Sequence, residues 1–153
     1  MTGTNHAITG AVIALTVKQP AIAVPLSFIS HFFQDLVPHF DFFSGPNQEH
    51  LFERKFNIVL ITDFLLSVTL MVVLAFLFPA QKWLIWGCMV AAACPDLAQA
   101  YYHLYLGKIK KQKPNFDPIS KLHYKLQWSS TPQGLVVEVL WAVAGLYIIS
   151  RLR

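Results

Sequence analysis

Three stretches of this chain, residues 1–17, 19–34 and 64–81, contain no formally charged side chain. Stretches of that length and polarity point to helices in a bilayer, where a crossing takes about 20 predominantly apolar residues. Composition agrees: 55% of the residues are hydrophobic and 13% charged, with a mean hydropathy of +0.48, against roughly a quarter charged in an ordinary soluble domain. With 153 residues and nothing resembling a hinge between two cores, residues 1–153 read as a single domain. The expected class is all-α, a polytopic helical membrane protein built as a bundle of four or five helices.

The helices can be placed in turn. Thr4 or Asn5 is suited to cap a first segment over residues 5–17. Lys18, Gln19 and Pro20 form a turn, and a second helix covers 21–37 with Pro25 in its first turns, where proline is tolerated. These two are short and suit a hairpin that crosses only in part. After Pro38, SGPNQEHLFERK (44–55) carries turn formers and mixed charge. The clearest span is FNIVLITDFLLSVTLMVVLAFLF (56–78), interrupted by one acid, Asp63. Pro79 to Lys82 make a tight turn, and a fourth segment over 83–106 runs from Trp83 and Trp86 at one interface to Tyr101, Tyr102 and Tyr105 near the other. A short helix is expected over 122–128. Ser130, Thr131 and Pro132 then read as a cap with an early helical proline, opening a fifth segment over 132–150 that contains Glu138.

The net charge of +4 rests mainly on GKIKKQKPNFDPISKLHYK (107–125), where Lys108, Lys110, Lys111, Lys113, Lys121 and Lys125 gather. Between apolar spans such a patch marks the cytosolic face of a bilayer more than a nucleic-acid partner. If every segment spans, the 39–55 loop and the N-terminus lie on that same side and the turns at Lys18 and 79–82 on the other, with Arg151 and Arg153 outside, against the positive-inside tendency. Cys88 and Cys94, six apart in one apolar segment, read as small buried side chains. The N-terminus has no basic residues ahead of its apolar run, so it reads as mature sequence and not as a cleaved signal peptide. The expected localisation is integral to an inner or plasma membrane.

Against this apolar background HFFQDLVPHFDF (31–42) is anomalous, because burying two histidines and two aspartates destabilises the fold unless a cation or a partner offsets it. His31, Asp35 and His39 are spaced i, i+4, i+8, which sets the first two on one helical face, while Pro38 ends the regular helix before His39 and Asp41. Up-and-down alternation brings His6, the 31–41 cluster, Asp63, Asp96 and His123 to one end of the bundle. At about 1.5 Å per residue, Asp63 and Asp96 lie on the order of 10–15 Å from the interface, and an intramembrane acid is a functional candidate by default. Imidazole nitrogen with carboxylate oxygen suits zinc, and manganese or iron nearly as well. His50 and His103 fall outside this convergence. No nucleotide loop, zincin helix, nucleophile elbow or CxxC pair is present, and Ser129 and Ser130 near His123 lack a defined base and oxyanion donors for serine catalysis.

Four short elements carry a resemblance: NHAITGAV (5–12), QDLVPHFDF (34–42), ACPDLAQ (93–99) and LHYKLQWSS (122–130). With them the chain resembles the small membrane-bound metal-dependent hydrolases of the YdjM type, which are similar in motifs to zinc-dependent phospholipase C proteins. That family opens on a histidine followed by a small-residue helix, carries G-x-x-x-P-D-x-D-H after the second helix, and places a histidine before a late helix. His6 and Gly10 match the opening, Asp41 is kept, Pro95 and Asp96 match a partial second copy, and His123 matches the late histidine. His39 stands where the first aspartate is usual and Phe42 replaces the following histidine, a departure that bears on the metal's identity or on catalytic competence.

The resemblance implies a metal-dependent hydrolase acting on an ester or phosphoester of a membrane-associated, amphiphilic substrate. Expected metal ligands are His6, His31, Asp35, His39, Asp41 and Asp96, with Asp96 as ligand or general base and His123 as ligand or leaving-group acid. Lys121 and Lys125 are placed to attract an anionic head group. Expected partners are the lipid bilayer and a lipid or other amphiphilic substrate, with no nucleic acid. Two rival functions remain open. One is a proton-coupled transporter in which Asp63, Asp96 and Glu138 titrate along a path; the other is a non-catalytic scaffold in which metal only ties helices together.

Overall fold

The computed structural model describes residues 1–40, 54–111, 115, 117–129, 131 and 133–153, and among these the chain is all-helical. Six α-helices follow in order: α1 (Gly3–Val17), α2 (Pro20–Leu36), α3 (Arg54–Leu77), α4 (Lys82–Ala100), α5 (Pro118–Leu126) and α6 (Gly134–Arg151). A π-helical extension, Tyr101–Ile109, continues α4, and a single 3-10 turn, Gln127–Ser129, follows α5. The count exceeds the expected four or five because α5 is an independent helix. It starts at Pro118 and not at 122, because Asp117 caps it: Oδ1 accepts the N–H groups of Ile119 (2.8 Å) and Ser120 (3.1 Å), and proline follows at the first helical position.

The first two helices turn back on each other at Lys18, as a hairpin would. Of the two, α1 lies at the centre, packed against α2, α3, α4 and α6. Small side chains allow this: Ala7, Ala11 and Ala14 are buried along it, and a Cβ placed on Gly10 would meet the Cys88 carbonyl oxygen at 2.5 Å and Met89 Cα at 2.9 Å. Backbone contact between α1 and α4 therefore requires glycine at position 10. Ile8, Leu15, Leu74, Ile85, Cys88 and Met89 fill the rest of the apolar core. Lys18 ends α1 in the left-handed region (φ 57°), its N–H on Ala14 O at 3.1 Å, and so reverses the chain into α2. Trp86 Nε1 donates to Met71 O at 2.9 Å and ties α4 to α3.

Neither Thr4 nor Asn5 caps α1. Two carboxylates from other helices do so. Asp63 of α3 accepts the N–H groups of Gly3 (2.8 Å) and Thr4 (3.0 Å), and Glu138 of α6 accepts the Thr2 N–H (3.0 Å) and hydroxyl (2.8 Å) and the Asn5 side-chain amide. A helix N-terminus offers unpaired N–H groups and partial positive charge, and two of the acids that interrupt apolar helices, Asp63 and Glu138, serve this end. α6 begins at Gly134 and not at 132, with Gln133 at its N-cap position, and the Thr131 hydroxyl accepts the Gly134 N–H at 3.2 Å.

Enclosed polar groups and exposed apolar faces occur together with this core. Buried groups include Asn5, His6, Ser27, His31, Gln34, Asp35, His39, Ser120, His123, Ser129 and Glu138, while Ile61, Phe64, Leu65 and Phe76 of α3 and Val136, Val139, Leu140 and Val143 of α6 are exposed. Ile58–Leu77 and Gly134–Arg151 are long and apolar enough to cross a membrane; α1 and α2, with 15 and 17 residues, are shorter than a crossing needs. Cys88 is buried as expected, whereas Cys94 is exposed.

Candidate metal centre

Four helices each bring part of one buried cluster. The anchored start of α1 supplies His6, one turn beyond the residues held by Asp63 and Glu138. The last turns of α2 supply His31 and Asp35, whose i, i+4 spacing sets both on the face turned inward. From α4 comes Asp96 and from α5 His123, positioned by the Asp117 cap. His6, His31, Asp35 and His123 are fully enclosed, while the Asp96 side chain is 32% exposed and forms the open side.

The reactive atoms converge on Nε2 of three imidazoles and the oxygens of two carboxylates. Asp35 Oδ2 lies 2.8 Å from His123 Nε2 and 3.2 Å from His31 Nε2, and its Oδ1 lies 3.2 Å from His6 Nε2 and 2.6 Å from the Met1 ammonium. Asp96 Oδ1 faces His123 Nε2 at 3.4 Å and His31 Nε2 at 3.8 Å, and its Oδ2 faces His6 Nε2 at 3.8 Å. His31 Nε2 and His123 Nε2 are 3.1 Å apart, and the rings of His6 and His31 stack with centroids 3.9 Å apart.

The orientation of His31 is fixed by backbone. Its Nδ1 lies 2.7 Å from the Ala92 carbonyl, which can only accept, so Nδ1 carries a proton and Nε2 is turned into the cluster. Pro95, inside α4, has no N–H for the Ala91 carbonyl, the neighbour of the Ala92 carbonyl that receives His31. Two imidazole nitrogens thus lie 3.1 Å apart beside two carboxylates. The His6 ring nitrogens make no well-aligned hydrogen bond among the described residues, although Nε2 lies 3.2 Å from Asp35 Oδ1.

The groups His6, His31, Asp96 and His31, Asp35, His123 each bring their ligand atoms within 4.8 Å of one another and could hold a metal ion. A tetrahedral ion with bonds of about 2.0–2.1 Å separates its ligands by roughly 3.3 Å. The separations of His31 Nε2 and His123 Nε2 from each other and from Asp35 Oδ2 and Asp96 Oδ1 bracket that value, from 2.8 to 3.8 Å. The residues present therefore fit a divalent cation with nitrogen and oxygen ligands.

Of the ligands expected from sequence, His6, His31, Asp35 and Asp96 come together, and His123 joins them. His39 does not belong to these groups: although buried, it turns Nδ1 to the Val37 carbonyl (2.9 Å) and the Ser129 hydroxyl (3.3 Å), because Pro38 has already ended α2 and redirected the chain. Ser129, excluded above as a nucleophile, instead donates to the Asp35 backbone carbonyl and so links His39 to the ligand helix. Asp41 lies outside the described residues. Sequence reasoning missed the Asp117 cap, although DPIS (117–120) carries the signal of a capping residue followed by proline. It also missed Thr9, whose hydroxyl lies 3.0 Å from Gln34 Oε1 and accepts from Trp141 Nε1 at 2.9 Å, joining α1, α2 and α6 beside the site. Comparison of the chain with protein-family models, with curated proteins and with solved structures finds no match.

Proposed function

We propose that this chain is a membrane-embedded, metal-dependent hydrolase of the YdjM type, acting on an ester or phosphoester of a membrane-associated substrate. The observation that carries this reading is the convergence of three imidazole nitrogens and two carboxylates from α1, α2, α4 and α5 at ligand spacing, with Asp96 alone partly open. The apolar outer surface of α3 and α6 supports a bilayer as the surrounding medium. Zinc is the first choice of metal by its ligand set, with manganese and iron compatible.

When bound, a divalent cation here supplies Lewis-acid chemistry, polarising the oxygen under attack and easing the ionisation of water. The chain supplies the rest. His31, His123 and Asp35 are held in place through the Ala92 carbonyl, the capped α5 and the Ser129 link. Asp96, at the open side, is placed to accept the proton of an attacking water. Lys121 and Lys125, one turn apart on the exposed side of α5, add positive charge next to His123 and suit an anionic head group.

The carrier reading gains no support from the polar contacts, since Asp63 and Glu138 have their oxygens engaged with the first turn of α1. The scaffold reading is favoured by the full enclosure of four of the five groups and is separated from catalysis by Asp96. The test is elemental analysis of the detergent-purified chain beside His31→Ala, Asp35→Ala and Asp96→Asn, with hydrolysis of lipid phosphoesters assayed in parallel. Expected are bound metal in the wild type, loss of metal in the first two variants, and loss of hydrolysis in Asp96→Asn with metal largely retained. A wild-type chain free of metal would refute the proposal; metal without hydrolysis of any lipid ester would leave the scaffold.

A further inference from the structure

The continuation of α4 and the outer side of α5 carry a surface that the metal centre does not use. Residues 101–128 contain six lysines, Lys108, Lys110, Lys111, Lys113, Lys121 and Lys125, and one acid, Asp117. That acid is committed within the segment: Oδ1 accepts the Ile119 and Ser120 N–H groups, and Oδ2 accepts the Ser120 hydroxyl at 2.6 Å and the Tyr102 hydroxyl at 3.0 Å. The Tyr102 bond also joins the π-helical extension of α4 to the start of α5.

At about 3.6 residues per turn, the described side chains of α5 sort into three strips. Ser120 and His123 are buried on the side turned to α2 and α4. Ile119 and Leu122 are exposed beside them, and Lys121 and Lys125 are exposed on the side away from the core. An apolar strip between a protein face and a lysine face suits a helix lying in the plane of a membrane interface, its apolar groups entering the acyl boundary while its ammonium groups stay among the head groups. The flanks continue the pattern. Tyr101 and Tyr105 are exposed and stack with ring centroids 5.3 Å apart, Lys110 Nζ lies 5.7 Å over the Tyr105 ring, and Ile109 and Trp128 are 68% and 75% exposed. Tyrosine and tryptophan with lysine are the side chains that favour the head-group layer.

We infer that the π-helical extension of α4 and the outer side of α5 together form an interfacial shelf that binds the anionic phospholipid head groups of the bilayer around α3 and α6. The inference rests on the membrane-embedded part of the reading above and is independent of any metal or hydrolysis. Charge complementarity selects the occupant: lysines that outnumber the one committed acid attract a negative surface, and the apolar side chains between them need an acyl boundary beneath it. Each lysine beside such a surface raises the preference for it by up to about fivefold. Because α5 also carries His123, this docking holds the candidate metal centre directly beneath the head-group layer.

The experiment reconstitutes the full-length chain, labelled with fluorotryptophan, into bilayer discs of phosphatidylcholine alone and of phosphatidylcholine with phosphatidylglycerol at three to one. Both contain a trace of phosphatidylcholine with a nitroxide on its head group. Fluorine NMR reads the tryptophans separately, with Trp128→Phe and Trp83→Phe assigning two of the lines. The expected result is several-fold stronger broadening of the Trp128 line in the phosphatidylglycerol discs, lost in high salt and in the combined variant Lys110→Gln, Lys111→Gln, Lys121→Gln, Lys125→Gln. The line of Trp83, exposed at the opposite end of α4, should broaden alike in both discs. Equal broadening of the Trp128 line in the two discs would overturn the inference, whether or not the lysine variant folds, and would leave the membrane reading standing. A Trp83 line untouched in both would set the chain outside the bilayer and overturn the two together. A Trp128 line that moves on addition of polyglutamate, with no difference between the discs, would assign the face to a soluble acidic partner and overturn the inference as well.

Discussion

Asp35 makes the polar interior possible: one enclosed carboxylate meets three imidazoles and an ammonium, with its backbone carbonyl held by Ser129. Asp35→Asn keeps the shape and removes the charge, so metal affinity is expected to fall by more than the 10–100-fold that loss of a mere outer partner brings, measured by competition with a chromophoric chelator. Asp117 illustrates a different use of a carboxylate. Hydrogen bonding to the Ser120 hydroxyl, then to its N–H, holds the Asp117 carboxyl at about 2, below its ordinary 3.8. A depressed value means that the cap is at full strength above about pH 4 and is lost as pH falls through 2. Amide exchange at Ile119 and Ser120 is therefore expected to accelerate over that window in the wild type and to be fast throughout in Asp117→Ala. Lys18 bears the left-handed strain of a helix end that usually falls to glycine. Lys18→Gly should stabilise the chain by about 0.5–1 kcal/mol, read as a higher Tm.

Among the elements, α1 departs furthest from its sequence pattern. Read alone, NHAITGAVIALTV is a short apolar helix, and nothing in its order says whether lipid or protein surrounds it. The deciding facts are spatial: Gly10 on the Cys88 and Met89 backbone, and Asp63 and Glu138 on its first turn. Gly10→Ala would gain about 1 kcal/mol of helix propensity, yet the new Cβ meets backbone atoms that cannot yield without separating α1 from α4. Overpacking of that kind costs about 1–3 kcal/mol. The net effect expected is a lower Tm together with weaker metal binding, because His6 rides on the same helix. Gly10→Val should exaggerate both changes. In α5 the reverse holds: its cap was legible in DPIS, while its use, to present His123 to three other helices, was not.

At the scale of the whole molecule, α3 and α6 present broad apolar faces outward, with Phe76 82% exposed. A charge in the middle of such a face tests what surrounds it. Leu66→Arg should disfavour insertion by about 2.5–3.5 kcal/mol if α3 crosses a bilayer, seen as loss of the chain from the membrane fraction. A chain that lives in water would instead become more soluble. Sequence by itself determined the helical class, because long uncharged segments bounded by proline, lysine and turn residues leave the backbone few other ways to satisfy its polar groups. It also determined which polar residues were anomalous, since a histidine or aspartate among Phe, Leu and Val stands out whatever the fold. Only the tertiary structure decided their partners. Asp63, Glu138 and Asp96 look alike as single acids in apolar helices, yet two hold a helix end and one faces imidazoles. That difference depends on the rotation of each helix about its axis and on an approach at Gly10 so close that a Cβ there would meet the Cys88 carbonyl oxygen at 2.5 Å, and rotation is set by packing between segments, which one-dimensional order does not encode locally.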